Sequence, residues 1–299
     1  RAFNKKSYFY PLVLGHEFCV SIIKDPLERI KKNQRCAVFP LLPCFKCSSC
    51  IKRKYNMCKN YLYYGSRLNG GMQEIMQVKR WNLTPIPDSL SDISASLIEP
   101  ISVCVHASNK VKSKSKVLIL GGGFLSQILS QLLIGNYCQL FCFDRNSYKK
   151  KFFSKDVFFS DLITDFEKLD FDIVIECCGA EGMLSKCIDL VKPGGTVIQM
   201  ANPTNEALLD SKSISNLMRK EIQIFGTWNS EYRPDDHSKC DWRKTIKLLE
   251  NDSLSIKNLI SHKVELSQAK DLFNKINTRK SNPGCILGFN KAIIEITPN

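Results

Sequence analysis

The sequence predicts an α/β protein with two domains, one rich in short strands and one built on a doubly wound parallel sheet. A chain of 299 residues is long enough to bury two separate hydrophobic cores. Residues 1–106 combine short β-prone runs with turn residues and four closely spaced cysteines, whereas residues 107–253 alternate strand-like and helix-like segments. We therefore expect a domain boundary near residue 107.

The first domain is predicted to contain short strands linked by loops. Composition typical of strands occurs at residues 20–23, 35–39 and 72–78, and prolines and other turn residues separate these runs. Asp92 is expected to cap a helix that begins near Ile93 and carries Glu99.

The second domain is predicted to alternate between strands and helices. Apolar strand-like runs lie at residues 117–120, 139–143, 172–176, 196–200 and 221–225. Helical segments are predicted at residues 125–133, 183–191 and 242–250. This alternation is typical of a Rossmann-type parallel sheet with helices on both faces.

Four cysteines within fifteen residues are the strongest chemical signal in the chain. Their spacing is Cys-x2-Cys-x2-Cys-x7-Cys, and they are Cys44, Cys47, Cys50 and Cys58. Four thiolates this close together can surround one zinc ion tetrahedrally, and such a site leaves no open position for a substrate. We therefore predict a structural zinc. Four free thiols, or two disulfides in a secreted domain, are the alternatives.

A glycine-rich turn after the strand at residues 117–120 predicts a dinucleotide site. Gly121 and Gly123 occupy the first two positions of the fingerprint, whereas Ser126 replaces the third glycine. The residues expected to line the cofactor are Gly121, Gly123, Phe124 and Leu125. Asp144 follows Gly121 by 23 residues, at the end of the next strand, where a carboxylate binds the ribose hydroxyls and repels a 2′-phosphate. We therefore predict NAD, although the neighbouring Arg145 could instead favour NADP.

Composition argues against several classes of partner. The formal net charge is +14, but the lysines are scattered apart from short runs such as residues 149–151, and no RNA-binding motif is present. We therefore attribute the charge to coding bias or to an anionic small-molecule substrate, and we expect no nucleic-acid partner.

The sequence contains no run of eighteen apolar residues, so we expect no membrane span. Fourteen cysteines without a recognisable secretory signal predict a reducing compartment, and hence a cytoplasmic protein.

Several motifs occur in an order that resembles the zinc-containing medium-chain dehydrogenase/reductase family. Gly15-His16-Glu17 precedes the cysteines, Glu99-Pro100 follows them, and a strand then leads into the glycine turn. Residues 39–43, residues 64–67 with Gly70-Gly71, and residues 226–230 resemble the polyol branch of that family. The resemblance implies a GroES-like catalytic domain over residues 1–106, an NAD-binding Rossmann domain over residues 107–253, and a return to the catalytic domain over residues 254–299.

The resemblance also implies a catalytic zinc. Such sites have three protein ligands and one open position. His16 and Glu99 are the candidate ligands, with Glu17 beside the metal, and in the polyol branch the glutamate before a proline binds zinc. The third ligand is expected to be a cysteine in a segment that family members carry upstream of the position of Arg1. Cys19 and Cys36 are alternatives that match no ligand motif.

The expected reaction is the oxidation of a polyol phosphate, galactitol 1-phosphate to tagatose 6-phosphate, with zinc and NAD. Zinc would acidify the substrate hydroxyl, and hydride would pass to the nicotinamide. Arg67, Trp228 and Asn229 are candidate substrate contacts, and Arg67 could pair with a phosphate. The alternatives are sorbitol, another free polyol or threonine as substrate, or a truncated, non-catalytic remnant that keeps the structural zinc. The family also suggests a homo-oligomer, either a dimer or a tetramer.

Overall fold

The computed structural model of the protein describes residues 11–281 and 289–297. Its strands are β1 (Cys19–Ser21), β2 (Arg35–Val38), β3 (Leu41–Leu42), β4 (Leu62–Tyr63), β5 (Leu83–Pro85), β6 (Lys116–Leu120), β7 (Gln139–Phe143), β8 (Val157–Ser160), β9 (Phe171–Glu176), β10 (Val191–Gln199), β11 (Gln223–Gly226), β12 (Ile260–Glu265) and β13 (Lys291–Glu295). Its α-helices are α1 (Ser48–Ile51), α2 (Asp92–Ser96), α3 (Ile98–Ser108), α4 (Phe124–Gly135), α5 (Met183–Leu190), α6 (Ser211–Arg219), α7 (Asp241–Glu250) and α8 (Ala269–Ser281). Among the described residues, no helix combines the length and the apolar character that a membrane span requires.

The chain divides into two compact units. The parallel-sheet unit comprises Val103–Asn229, and the described residues on either side of it form the β-rich unit. Residues 230–253, which the sequence analysis assigned to the nucleotide-binding domain, group with the β-rich unit instead. The reason is that Trp242 of α7 packs edge-on against Phe39, with ring centroids 5.5 Å apart.

The parallel-sheet unit contains the doubly wound sheet that the alternation of segments predicts. Six strands lie in the order β11-β10-β9-β6-β7-β8, and every neighbouring pair is parallel. The chain runs outward from β6 to β8 on one side and then returns to β9 on the other. The order therefore reverses between β6 and β9, which makes the carboxyl ends of these two strands the switch point where doubly wound folds bind ligands.

Apolar strands buried on both faces form the core of this unit. In β6, every residue after Lys116 is buried, as expected for a central parallel strand. One face packs around a group of phenylalanines, with the ring of Phe141 lying 5.2 Å from that of Phe171 and 6.5 Å from that of Phe166. These contacts fix the register of the sheet and thereby the positions of the loops at its carboxyl edge.

The β-rich unit contains small sheets. β1, β2 and β5 form an antiparallel sheet, β3 pairs with β4, and β12 pairs in parallel with β13. The strand predicted at residues 72–78 is absent from the structure. The backbone at the start of this run is bonded elsewhere, because Gly70 N donates to Val13 O at 2.8 Å and Met72 N donates to Leu14 O at 3.0 Å.

Stacked aromatic rings form the core of the β-rich unit. Phe39 and Tyr232 lie parallel with their centroids 4.2 Å apart, and Trp81 meets the ring of Tyr232 edge-on at 5.0 Å. The buried Tyr232 hydroxyl bonds Thr84 Oγ1 at 3.0 Å, and burial raises its pKa. A buried phenol with such a partner is stable in its neutral form.

Glu99 lies in a helix separate from the one predicted to carry it. Ser91, rather than Asp92, caps α2, because Ser91 Oγ accepts a hydrogen bond from Ser94 N at 3.2 Å. Asp92 instead accepts a hydrogen bond from Arg35 Nη1 at 2.8 Å. Glu99 lies in the first turn of α3, where a carboxylate is favoured by the helix dipole.

Candidate metal and nucleotide sites

The cysteines of the predicted zinc loop come together around a common point in the β-rich unit. Their sulfur atoms all lie within 4.8 Å of one another, and the four residues are Cys44, Cys47, Cys50 and Cys58. Cys47 Sγ is 3.5 Å from Cys50 Sγ and 3.9 Å from Cys58 Sγ. Sulfurs around a tetrahedral zinc, each about 2.3 Å from the metal, are separated by about 3.8 Å. The cluster therefore fits one zinc ion bound by four thiolates.

The loop backbone stabilises negative charge on two of these sulfurs. Backbone hydrogen bonds lower the pKa of Cys44, and others lower the pKa of Cys47 to about 6. Burial raises the pKa of Cys58 and raises that of Cys50 to about 12. A bound divalent cation would offset the penalty on the two buried thiolates.

Aromatic contacts join this loop to the rest of its unit. The rings of Phe45 and Tyr55 both meet Trp81 edge-on, each with centroids 5.1 Å apart. Arg53 forms a salt bridge with Asp235. The metal loop is thus packed on the aromatic core, so its order and the stability of the unit are linked.

His16, Glu17 and Glu99 form a second group of possible metal ligands, also in the β-rich unit. One potential ligand atom from each lies within 4.8 Å of the others. Gly15 has a φ of +95° and accepts a hydrogen bond from Gly71 N at 2.9 Å, which holds the loop that carries His16 and Glu17. Glu99 is only 6% exposed. One imidazole and two carboxylates are a donor set that zinc accepts.

Two residues that the sequence analysis missed contact this group. Tyr63 Oη donates a hydrogen bond to Glu99 Oε1 at 3.2 Å, and its ring lies edge-on to the ring of His16 at 5.7 Å. Lys291 forms a salt bridge with Glu17. Tyr63 carries no sequence signal beyond its place next to the Tyr64-Gly65 motif, and Lys291 carries none. Such outer contacts orient ligands and limit the negative charge at the site.

The glycine turn lies at the switch point of the parallel sheet. Gly121 has a φ of +103°, which glycine adopts readily, and its N–H donates to Phe143 O at 2.7 Å. Gly123 is the N-cap residue of α4, and apart from its neighbours along the chain no described residue comes within 4 Å of a Cβ built on it. The backbone N–H groups at the start of α4 are therefore accessible to an anion such as a pyrophosphate.

The serine that replaces the third glycine fits in the structure. Ser126 is 1% exposed, and its side chain forms a hydrogen bond with the thiol of Cys177. Phe124 is buried and Leu125 is half-buried in the first turn of α4. The departure from the glycine fingerprint therefore leaves a regular strand-turn-helix unit.

Asp144 contacts the glycine turn directly. Its Oδ2 accepts a hydrogen bond from Gly122 N at 2.7 Å, and its Oδ1 accepts one from Asn146 N at 2.9 Å. A carboxylate has about four acceptor positions, so capacity remains for ribose hydroxyls. Arg145 is exposed, whereas Lys149 is 8% exposed, and its Cβ lies 3.3 Å from a Cβ built on Gly122. In the sequence, Lys149 belongs only to a short basic run, and no pattern there indicates its place beside the glycine turn.

The candidate substrate residues are divided between the units. Arg67, in the β-rich unit, donates from Nη1 to Tyr61 O at 2.7 Å and stacks on the Tyr61 ring at 3.9 Å. Trp228 and Asn229 end the parallel-sheet unit. Trp228 is 40% exposed, whereas Asn229 is buried and has a φ of +56°. The substrate role of all three stays a prediction.

Comparison with known proteins finds two matching family models and many relatives. The model of the alcohol dehydrogenase GroES-like domain matches residues 2–88, and that of the zinc-binding dehydrogenases matches residues 150–251. Galactitol 1-phosphate 5-dehydrogenase of Escherichia coli (strain K12) is 25% identical over 96% of this chain and 87% of its own length. A crystal structure of galactitol-1-phosphate dehydrogenase from Escherichia coli, also 25% identical, gives a TM-score of 0.82, covering 94% of this chain and 85% of that one.

Two further proteins show the breadth of the similarity. D-arabinitol dehydrogenase 1 of Uromyces fabae is also 25% identical, over 91% of this chain and 80% of its own length. A zinc-binding dehydrogenase of Sinorhizobium meliloti, solved with bound NADP, has a TM-score of 0.81 at 22% identity and covers 96% of this chain and 84% of its own. The fold is thus shared with both solved structures, and sequence relatives at the same identity differ in the substrate that their names give.

Proposed function

Because this chain belongs to the zinc-containing medium-chain dehydrogenase/reductase family, and to its polyol dehydrogenases, we propose that it oxidises galactitol 1-phosphate to tagatose 6-phosphate with NAD. The observation that supports the proposal most is the convergence of His16, Glu17 and Glu99 in the unit that also contains the four-cysteine cluster. The glycine turn with Asp144 adds a place for the dinucleotide.

Each part of the chain has a distinct task in this reaction. Zinc, when bound by His16 and Glu99, would supply a Lewis acid that lowers the pKa of a substrate hydroxyl. Tyr63 would orient the Glu99 carboxylate through its hydrogen bond to Oε1, and Lys291 would neutralise Glu17. We expect a further ligand from a cysteine outside the described residues, and the cluster of four cysteines would serve folding alone.

A free polyol is the second candidate substrate. The D-arabinitol dehydrogenase has the same 25% identity to this chain as the galactitol 1-phosphate enzyme, over a somewhat smaller share of the chain. In addition, Arg67 already donates to Tyr61 O, so one guanidinium nitrogen of the expected phosphate partner is engaged. The two substrates therefore require a direct comparison.

The test is NADH formation by the purified zinc-loaded protein with galactitol 1-phosphate, galactitol, D-arabinitol, sorbitol and threonine. A kcat/KM at least about 100-fold higher for the phosphorylated polyol supports the proposal, because a charged phosphate contact is worth about 3 kcal/mol. Preference for a free polyol would move the assignment to the second candidate. Absence of turnover on every substrate, with zinc and NAD bound, would identify a non-catalytic relative.

NAD is the proposed cofactor because Asp144 places a carboxylate beside the glycine turn. The Sinorhizobium meliloti protein binds NADP, so the preference of this chain requires its own measurement.

Replacing Asp144 with serine should lower kcat/KM for NAD about 30-fold and raise it for NADP, since removal of the charge leaves Arg145 and Lys149 to attract a 2′-phosphate. Steady-state kinetics with both cofactors measure the ratio. The exposed Asp156 serves as a control, because its change to serine should leave the ratio unaltered.

We also propose a homo-oligomer that forms through the edge of the parallel sheet. β11 is an edge strand, and all four of its residues are exposed, including Ile224 at 38% and Phe225 at 45%. An apolar edge strand with unpaired backbone groups is suited to pairing with a second copy of itself. None of the described cysteines is joined in a disulfide, which supports the cytoplasmic location that we propose.

Replacing Phe225 with lysine should convert the oligomer to monomers at micromolar concentration, because the change places like charges opposite each other in the paired strands. Light scattering after size-exclusion chromatography measures the mass. The control is Tyr137→Lys, which alters another aromatic ring, 79% exposed and away from the sheet edge. An unchanged mass for Phe225→Lys would place the interface elsewhere.

A further inference from the structure

A buried carboxylate outside the predicted sites lies at the switch point of the parallel sheet. Glu176 is the last residue of β9 and is 1% exposed. In the sheet register it lies opposite Leu120, the residue that precedes the glycine turn. A buried charge in a protein interior is costly unless several donors compensate it. The neighbours of Glu176 must therefore account for its presence.

Four donors surround the carboxylate. Glu176 Oε1 accepts hydrogen bonds from Gly179 N at 2.7 Å, from Cys178 N at 2.9 Å and from Cys178 Sγ at 2.9 Å. Glu176 Oε2 accepts one from Gln199 Nε2 at 2.6 Å. The carboxylate thus fixes the turn at residues 177–179 and joins it to β10.

This turn supports the glycine turn of the dinucleotide site. A Cβ built on Gly121 would lie 2.9 Å from Cys178 Cβ and 3.2 Å from Cys178 N, so the two backbones are in close contact. Cys177 N also donates to Leu120 O at 2.9 Å. Gly179 is constrained as well, with a φ of +66° and its carbonyl bonded by Thr204 N at 2.9 Å. A shift of the turn at residues 177–179 would therefore displace Gly121.

We propose that Glu176 is a positioning residue for the dinucleotide. It holds the turn at residues 177–179 against Gly121, and the glycine turn is thereby preorganised for the pyrophosphate. The inference rests on the proposed function, since it assigns Glu176 to the same dinucleotide site. Glu176 itself needs no contact with the cofactor.

The environment of Gln199 suggests a conservative test variant. Gln199 Oε1 is buried and has no hydrogen-bond partner among the described residues. In Glu176→Gln, the new amide group would face Gln199 Nε2, and rotation of the Gln199 amide would turn Oε1 towards it. The rotation breaks only the hydrogen bond from Gln199 Nε2 to Ala201 O at 2.8 Å. The glutamine variant can therefore keep the bonds to Cys178 N and Gly179 N. In Glu176→Ala, both of these backbone groups lose their acceptor.

The experiment measures NADH affinity by fluorescence titration for the wild type and for Glu176→Ala, Glu176→Gln and Glu176→Asp. We expect the Kd to rise about tenfold or more for alanine and less than about threefold for glutamine, with zinc content unchanged. The KM for the polyol should change less than the KM for NAD. The exposed Glu167, paired with Lys186, provides the matched control, and Glu167→Ala should bind NADH as the wild type does.

The outcomes separate the inference from the proposed function. A folded Glu176→Ala variant with a Kd within about twofold of the wild type overturns the positioning role, and so does a loss of thermal stability without a change in Kd. If the alanine variant fails to fold, the aspartate variant decides, because its shorter side chain cannot reach both backbone amides. A wild type that binds no NADH would overturn both the inference and the proposed function, whereas a binding wild type with an insensitive Glu176 overturns the inference alone.

Discussion

Cys50→Ser should remove one zinc ion per chain and lower the thermal midpoint by about 10 °C. The serine hydroxyl is a poor zinc ligand, and loss of a structural metal removes folding free energy of at least about 3 kcal/mol. The loop also packs Phe45 and Tyr55 on Trp81, so its disorder would expose the aromatic core of the β-rich unit. Metal analysis and thermal unfolding followed by circular dichroism measure both effects.

The control for this experiment is Cys138→Ser. Cys138 is half-buried in the parallel-sheet unit and lies outside the cluster, so its replacement should leave the zinc content unchanged. A Cys50→Ser protein with the zinc content of the wild type and a thermal midpoint within about 2 °C of it would show that Cys50 binds no zinc. Acidification should release the same zinc, because protons compete with the metal for the thiolates.

Glu99→Gln should lower kcat by a factor of about 1,000 or more and release the catalytic zinc while the structural zinc remains. The amide is close to the carboxylate in shape but carries no charge, so it binds a divalent cation weakly. The hydrogen bond from Tyr63 can persist, which keeps the fold of the site. We therefore expect the zinc content to fall by one ion per chain and turnover to be lost, whereas the affinity for NADH should stay the same.

A matched carboxylate tests the specificity of this effect. Glu250 is exposed at the end of α7 and accepts a hydrogen bond from Ser89 Oγ at 3.3 Å, so Glu250→Gln should retain full activity. Full turnover by Glu99→Gln would exclude Glu99 as a ligand and return the choice to Glu17. Loss of NADH binding would instead indicate a general disruption of the fold.

The parts of the sites that could be predicted consist of residues that are close together in the sequence or lie at the ends of adjacent strands. The four cysteines lie within one loop, so their spacing alone limits the distances that their sulfurs can span. The glycine turn is likewise continuous in sequence, and Asp144 follows at the end of the adjacent strand. Parallel pairing of β6 with β7 brings that aspartate to the glycines without any further requirement.

The parts that could not be predicted depend on contacts between distant segments. Lys291 reaches Glu17 from a strand near the other end of the chain, and no pattern in either segment indicates the pair. The run at residues 72–78 has the composition of a strand, but the backbone beside it is bonded to residues 13–15. The predicted helix at residues 242–250 continues the pattern of the nucleotide-binding domain, but Trp242 packs on Phe39.

The sequence by itself determined the class of fold, the zinc loop and the order of the motifs, because each depends on residue types at fixed short spacings. Only the tertiary structure decided that His16, Glu17 and Glu99 meet, that Tyr63 bonds Glu99, and that Glu176 lies beneath the glycine turn. The physical reason is that burial and hydrogen bonding depend on which residues lie close together in the folded protein, whatever their separation in the sequence. A carboxylate acquires its partners from whichever strands and helices the hydrophobic core packs around it.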